Sequence, residues 1–521
     1  MDSVPSIPEF YAEKCVFITG ATGFMGKALV EKLLRSCPDV KTLYLLVRPK
    51  KGKEPEQRIE EIVCSKLYDK LRTDQPEFHK KLVPVCGDIL HENLGICQTD
   101  EQKLIDNVQI VFHSAATVRF DEEMKLSVEM NVHGTNRVIQ FCKKLVHIES
   151  FLHVSTAYAN CNERKIEEKV YEPPLHPSKI LEAADWMGTD ILKILTPKMI
   201  KDRPNTYTYT KSIAEYLVYE ARGEIPVAIF RPSIVGASWE EPIPGWVDNF
   251  NGPTGLLAAI GNGLLRSMVG NFHGTADVIP VDIAAKMMIA CAWNTAIDSS
   301  SVPKVYHCTT GQQNRFTWGE MERMSYEYFM RNPVNTVTRI PNPRFTKSVY
   351  FKRAWHELCM VFDHLIPAYI MDFFMWISGR RTIFVKIQER LRKSVSSLDF
   401  FTSNEWTFTN DNLYALLNKM TPEDKKTFNF DPKNIDWSKY MEYYCLGTKQ
   451  FVLKEELSEL PRARKTLQRL QRMNLFINLF GLIVIWKLLS NRFKLAKTLW
   501  DFLMGWAMKI FKSLPTLIKS S

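Results

Sequence analysis

The stretch KCVFITGATGFMGKALVEKLLRSC, Lys14 to Cys37, restricts the fold more than any other part of the chain. Cys15 to Ile18 read as an apolar strand, Gly20, Gly23 and Gly26 follow at GxxGxxG spacing, and the apolar period through Leu33 and Leu34 reads as an amphipathic helix. Glycine is required where a strand turns sharply into a helix and the backbone must approach a pyrophosphate, whose charge the helix N-terminus favours. Gly20, Thr22, Gly23, Phe24, Met25 and Gly26 are therefore the expected dinucleotide turn. A glycine triplet by itself is weak; set between a strand and a helix it points to a doubly wound parallel α/β sheet of Rossmann type.

The second strand, Thr42 to Val47, selects the dinucleotide. An NAD site calls for a carboxylate near this strand end, an NADP site for a cation facing the 2′-phosphate. Here Arg48 and Pro49 follow the strand, then Lys50, Lys51 and Lys53, with no acid before Glu54. NADPH is the expected cofactor and Arg48 its phosphate partner, while some of the lysines read equally as a solvated loop. Three further strands are expected at Leu82 to Cys86, Gln109 to His113 and Phe151 to Val154. They end in Gly87-Asp88, in Ser114-Ala115-Ala116 and in Ser155-Thr156, and the helical stretch Glu123 to Lys144 carries Asn131. A sixth strand, Val227 to Phe230, runs into Arg231, Pro232, Ser233 and Ile234. Ligands of an open parallel sheet bind at the carboxyl ends of its strands, where these small and polar residues fall.

Between the fifth and sixth strands lies NTYTYTKSIAEY, Asn205 to Tyr216. Residues four apart share a helix face, so Tyr207 falls beside Lys211 and Tyr209 does not. An ammonium beside a phenol lowers its pKa toward the range of proton transfer, which carbonyl reduction needs. The spacing alone also fits a plain helix start; downstream of a dinucleotide turn, it reads as an acid catalyst, Tyr207, supported by Lys211.

These segments together resemble the extended short-chain dehydrogenase/reductases, and more narrowly the fatty acyl-CoA reductases. The resemblance rests on TGATGFMGK, FHSAATVRF, HVSTAYAN, the YTYTK run and RPSIVGASWEEPIPGWVDNFNGPTGLL, and continues through DKKTFNFD and WSKYMEYYCLGTKQFVL. It implies reduction of a long-chain fatty acyl-CoA to the primary alcohol with two NADPH and release of CoA. By position it implies that Tyr207 protonates the substrate oxygen, Lys211 supports it and the nicotinamide ribose, and the hydroxyl partner is Thr156 in preference to Ser155. The glycine turn, Arg48, Asp88, Ser114, Ala115, Ala116, Pro232, Ser233 and Ile234 would hold NADPH, and Asn131 would brace the site or serve structure alone. The same cofactor and tyrosine chemistry would also suit a sterol or nucleotide-sugar reductase, without CoA release. A catalytically idle NADPH-binding membrane scaffold is the alternative of another class.

At 521 residues, 45% hydrophobic and 24% charged, the chain exceeds one ordinary core and has a globular composition. We divide it into a reductase part, 1–344, a mainly helical carboxyl-terminal part, 345–455, and a tail, 456–521. From Arg462 onward twelve Lys and Arg stand against one acid, Asp501, while the body before it is near neutral. A basic, aromatic and apolar tail points to an anionic membrane surface and not to nucleic acid. Met473 to Trp486 is uncharged and extends to Leu489 if Lys487 snorkels, short of the ~20 residues of an ordinary span, so a short anchor competes with an in-plane helix. Leu499 to Phe511 reads as an interfacial helix. The 11 scattered cysteines form no CxxC pair, which indicates neither a disulfide framework nor a metal site. The start, MDSVPSIPEFYAEK, lacks the pattern of a secretory signal, and the final Lys519-Ser520-Ser521 is not a Ser-Lys-Leu import signal. The resemblance implies a cytosol-facing enzyme in the peroxisomal membrane, with the endoplasmic reticulum second, feeding wax or ether-lipid synthesis. Met360 to Gly379 is apolar but interrupted by Asp363, His364, Pro367 and Asp372, and reads either as a membrane-surface or acyl-lining hairpin or as a buried helix pair.

Overall fold

The computed structural model describes residues 4–490 except 51, 299–301 and 344–351, and beyond them residues 498, 500, 502 and 505. The tail helix expected from Leu499 to Phe511 lies almost wholly outside the described residues.

Seven parallel strands form the central sheet: β1 (Cys15–Thr19), β2 (Thr42–Val47), β3 (Leu82–Cys86), β4 (Val108–His113), β5 (Ser150–Val154), β6 (Val227–Pro232) and β7 (Lys304–Cys308). Their order is β7-β6-β5-β4-β1-β2-β3, so the winding reverses between β1 and β4. That reversal opens the crevice in which ligands of such sheets bind. Strands covered on both faces lack the alternation of a half-exposed strand, and β1, β5 and β6 are buried at every position. Helices α1 (Phe24–Ser36), α2 (Gly134–Cys142), α3 (Thr206–Glu220) and α4 (Val281–Ile297) wind around the sheet. Leu29 and Leu33 of α1 pack with Ile283 of α4 over Val16 and Ile18, while Val138 of α2 and Val218 of α3 cover Phe17, Val111 and Phe151 on the opposite face.

The six strands expected from sequence begin at, or one residue after, the observed starts. β7 escaped because KVYHC carries a histidine inside a five-residue run. His307 is nevertheless fully buried, its Nδ1 bonded to the Thr409 carbonyl at 2.7 Å and its Nε2 against Arg231 at 3.1 Å. The helix expected over Glu123 to Lys144 is continuous but contains a π turn, Glu129–His133, between Met124–Val128 and α2.

After β7 the reductase part adds α5 (Trp318–Arg331), the carboxyl-terminal part adds α6 (Ile366–Ile377), α7 (Phe384–Ser396), α8 (Asp411–Lys419) and α9 (Trp437–Gly447), and the tail begins with α10 (Leu460–Ser490). Leu413 and Leu416 of α8 and Tyr440 and Tyr444 of α9 share one apolar core with β1 and α1. Thr407–Phe408 pairs in parallel with Lys165–Ile166, stitching this region to the segment that follows β5. The Pro242 to Gly255 loop, whose position after the cofactor turn suggests a substrate flap and whose glycines and prolines fit a plain connection equally, is held on both sides. Trp246 stacks on Phe24 at 5.2 Å and Asp248 pairs with Lys27 at 2.7 Å. Opposite, Gly447 of α9 meets Gly245 so closely that a Cβ on Gly447 would stand 1.7 Å from the Gly245 carbonyl oxygen. The first turns of α10 rest on the body through buried Ala463 and Leu467 and through Arg464, which donates to Arg331 O and Asn332 Oδ1 at 3.0 Å each.

A buried ion pair ties α3 to β6. Arg231 donates from Nε and Nη2 to Glu215 at 2.8 and 2.7 Å, with both side chains sealed from solvent. Its remaining donors reach the Glu167 and Lys169 carbonyls at 3.1 and 2.9 Å. Removing one member leaves an uncompensated buried charge. Glu215→Ala is therefore expected to lower unfolding free energy by about 3–5 kcal/mol, read from chemical denaturation, with Glu215→Gln losing less.

Candidate active site

The turn from β1 to α1 is built by backbone proximity. Gly20 has φ +77°, and a Cβ there would lie 2.7 Å from the Ala115 amide nitrogen; one on Gly26 would lie 2.3 Å from Gly20 O. The N-terminus of α1, capped by Gly23, has no side-chain cap, so its amides face the crevice as an anion cradle. Ser114 donates its amide to Thr19 O at 3.2 Å and Ala115 to Thr19 Oγ1 at 3.3 Å, which holds the β4 end against the turn. Ala116 is half-buried on the same segment.

Asp88, at the β3 end, stands 3.6 Å from Arg48 and accepts the Leu90 amide at 3.2 Å. Arg48 is half-exposed. A second guanidinium joins it: Arg58 donates to Arg48 O at 2.5 Å and to Thr22 Oγ1 at 3.3 Å. Burial first, and then the like charge of Arg48, hold Arg58 below its ordinary pKa. Sequence reasoning missed Arg58. Its signal was position: it lies in the helix Pro55–Val63 that follows β2, from which a long side chain swings back over the glycine turn.

The chemistry-bearing residues meet at the end of β5. Asn205 caps α3 by accepting the Thr208 amide at 2.9 Å, which starts the helix so that Tyr207 and Lys211 face the sheet. The Tyr207 hydroxyl faces the Thr156 side chain, whose Oγ1 accepts the Tyr158 amide at 3.3 Å. Lys211 Nζ donates to Val154 O at 2.7 Å. Ser155 Oγ is buried with no hydrogen-bond partner among the described residues, a donor ready for an incoming oxygen. Asn131, in the π turn, accepts the Thr117 amide at 3.0 Å and donates to Thr117 O and Thr210 Oγ1 at 3.3 and 3.0 Å. It thereby clamps the β4 end to the helix that carries Tyr207. Pro232, Ser233 and Ile234 form the turn after β6, with the Ser233 and Ile234 amides given to Cys308 O and Asp277 O.

The electrostatics differ from the sequence expectation of a phenol acidified by its lysine. Burial pushes Tyr207 up to about 12, opposed by the facing Thr156 hydroxyl, because the Lys211 ammonium points to a strand-end carbonyl and not to the phenol. Burial in turn pulls Lys211 down to about 8 against the attraction of Glu215. His113 and His153, buried beneath the site, are held neutral, His113 down to about 3.

The carboxyl-terminal region closes the site. Phe401 packs on Phe120 at 5.3 Å, and Phe120 on Tyr207 at 5.8 Å. Tyr158, Phe408 and Trp406 extend this aromatic wall. The long sequence separation of these rings hid the wall from periodicity.

Two family models, both described as male sterility protein, match residues 18–288 and 363–455. Among curated proteins, fatty acyl-CoA reductase 1 of Gallus gallus is 45% identical over 97% of both chains, and the human protein of that name is 43% identical over the same shares. Fatty acyl-CoA reductase 2 of Mus musculus is 40% identical over 98% of this chain and 99% of its own. Among solved structures, the reductase domain of a nonribosomal peptide synthetase from Mycobacterium tuberculosis shares the fold at TM-score 0.54 and 20% identity, covering 85% of this chain and 94% of that one. The crevice takes a nicotinamide dinucleotide, which the glycine cradle, the open helix N-terminus and the strand-end hydroxyls fit.

Free-enzyme ionisations appear in the pH dependence of kcat/KM for the dinucleotide. The Tyr207 proton is retained until about 12, whereas Lys211 is charged only below about 8. The expected profile falls as pH rises through about 8, and a profile flat across that range would remove the Lys211 charge from the reaction.

Proposed function

The chain belongs to the fatty acyl-CoA reductases, and on that premise we propose that it reduces a long-chain fatty acyl-CoA to the primary fatty alcohol with NADPH, releasing CoA. The observation that carries this reading is the meeting of the Tyr207 hydroxyl with Thr156 at the end of β5, beside Lys211 and under an aromatic wall.

Bound in the crevice, NADPH supplies the hydride for each of two successive reductions. Tyr207 and Thr156 donate hydrogen bonds to the carbonyl oxygen as it becomes negative, the kind of stabilisation that counts most in a water-poor site. In the first reduction they hold that oxygen until it re-forms the carbonyl, the carbon–sulfur bond breaks and CoA leaves as its thiolate, which takes a proton from solvent. In the second, Tyr207 passes its proton to the alkoxide of the reduced aldehyde. Its protonated state through neutral pH suits a donor. Lys211 holds positive charge below the reacting groups, and Ser155 offers a further hydroxyl to the substrate oxygen. Phe120 and Phe401 keep water from the aldehyde between the two steps.

Selection of NADPH over NADH falls to Arg48 with Arg58. Arg48 stands beside Asp88, and Arg58 lies in the field of both Arg48 and Glu61; this pair of guanidiniums at the β2 end suits a 2′-phosphate dianion. Gly20, Thr22, Gly23, Phe24, Met25 and Gly26 carry the pyrophosphate, and Ser114, Ala115, Ala116 and the Pro232–Ile234 turn line the nicotinamide half.

Residues 1–344 form the reductase part, 345–455 the carboxyl-terminal part and 456–521 the anchor. Among the described residues two helices are long and apolar enough to cross a membrane, His356–Ile377 and Leu457–Leu489. Among the described residues most of the second helix's apolar side chains from Met473 onward are exposed, which supports anchorage there. We place the body on the cytosolic side of the peroxisomal membrane, with the endoplasmic reticulum second; free thiols at all 11 cysteines accord with a reducing compartment.

In liposomes with palmitoyl-CoA, two NADPH are expected to be oxidised per CoA released, and Tyr207→Phe to lower kcat by roughly 10²–10⁴-fold. One NADPH per CoA would make the product an aldehyde, and unchanged turnover in the variant would remove Tyr207 from the chemistry. Arg58→Gln and Arg48→Gln are each expected to raise KM for NADPH roughly 10- to 100-fold with KM for NADH unchanged, measured by initial rates with each dinucleotide.

A further inference from the structure

The helix ending in α6 is amphipathic in the reverse sense of a soluble surface helix. Met360, His364, Ala368 and Asp372, four residues apart, are buried, as is Cys359 beside Met360. Its outward face carries Phe362, Tyr369, Phe373, Phe374 and Trp376, each between 55% and 68% exposed. Polar groups thus face the protein and aromatic rings face away, an arrangement that water does not stabilise.

The inward polar groups build a hairpin with α7. The Asp372 carboxylate accepts the amides of Ile383, Phe384 and Val385 at 2.9, 2.9 and 3.0 Å, capping the start of α7. His364 Nδ1 meets Gln388 Oε1 at 3.0 Å, and Gln388 donates onward to Leu264 O at 3.2 Å. Arg339 reaches the Asp363 carbonyl. The hairpin is therefore fastened to the body along one side, and a helix so fastened cannot be surrounded by lipid as a spanning helix is. Only its outer face is free. Around that face the chain is basic: Arg380, Arg381, Lys386, Arg390, Arg392 and Lys393 are all exposed, against one acid, Glu389, in residues 379–396.

We propose that the α6–α7 hairpin lies in the plane of an anionic bilayer surface, its aromatic face among the upper acyl chains and its arginines and lysines at the headgroups. It is a membrane contact additional to α10 and independent of the reaction assigned above. The chain leaves α7 directly into Asp399–Ser403, where Phe401 joins the wall over Tyr207. The bilayer surface and the site are thus joined by one short stretch of backbone.

The test uses the full-length protein with Trp486→Phe, Trp500→Phe and Trp506→Phe, which removes the tail's own indoles, in phosphatidylcholine–phosphatidylserine vesicles whose acyl chains carry bromine either near the headgroup end or near the chain terminus, with tryptophan fluorescence as readout. α10 keeps every variant on the vesicle, so a lost signal reports the hairpin and not detachment. Headgroup-proximal bromine is expected to quench this protein, with Trp376 retained, more than terminal bromine does. Trp376→Phe is expected to lose that quenching, whereas Trp437→Phe, stacked on Phe316 at 4.6 Å, keeps it. Equal quenching with and without Trp376 would overturn the proposal, and stronger quenching by terminal bromine would overturn the in-plane placement in favour of a span. Absence of lipid quenching together with self-association abolished by Phe373→Glu/Phe374→Glu would assign the face to a second copy and likewise overturn it.

Discussion

The hydrogen bond from Lys211 Nζ to the Val154 carbonyl sets the position of everything that reacts. It fastens the middle of α3 to the end of β5, and the 3.6-residue repeat does the rest. One turn before Lys211, Tyr207 arrives over Thr156; one turn after, Glu215 meets Arg231 of β6. Phenol, ammonium and carboxylate form a single polar stripe, at intervals of four, along a helix otherwise buried among apolar side chains. Asn131 adds a second fastening from the opposite side, and it can do so because the π turn shifts its side chain toward the β4 end. Two buried histidines beneath the stripe stay neutral and add no charge to compete with Lys211.

Much of this was legible in the chain. The glycine turn, four of the six expected strand ends and the Tyr207–Lys211 spacing depend on local backbone chemistry, which a short window of sequence contains. What was not legible depends on neighbours distant in the chain. β7 hides behind His307, whose burial is allowed by partners at Thr409 and Arg231. Arg58 required knowing that its helix folds back over Thr22. The upward shift of Tyr207 required knowing that Lys211 had a better partner than the phenol. Met360 to Gly379 could be read two ways because composition records how many polar residues a helix has, and only the fold records that His364 and Asp372 turn inward.

The carboxyl-terminal region is more than an anchor attached to an enzyme. It contributes Tyr440 and Tyr444 to the core under the sheet, a two-residue strand beside Lys165–Ile166 and the ring of Phe401 in the wall over Tyr207. Removal of this region would unroof the site and strip the core at once, so loss of activity in a shortened chain would not by itself separate catalysis from folding.

The meeting of Gly245 and Gly447 has a consequence for how this chain can vary. Because a Cβ on Gly447 would overlap the Gly245 carbonyl, and one on Gly245 would stand 2.1 Å from Tyr443 O, neither backbone can recede without moving α9 or the loop on α1. Any side chain at either position requires the same displacement. The two sites are therefore epistatic: no single substitution leads to a tolerated pair, and stepwise drift is barred where the loop over the glycine turn meets the helix behind it.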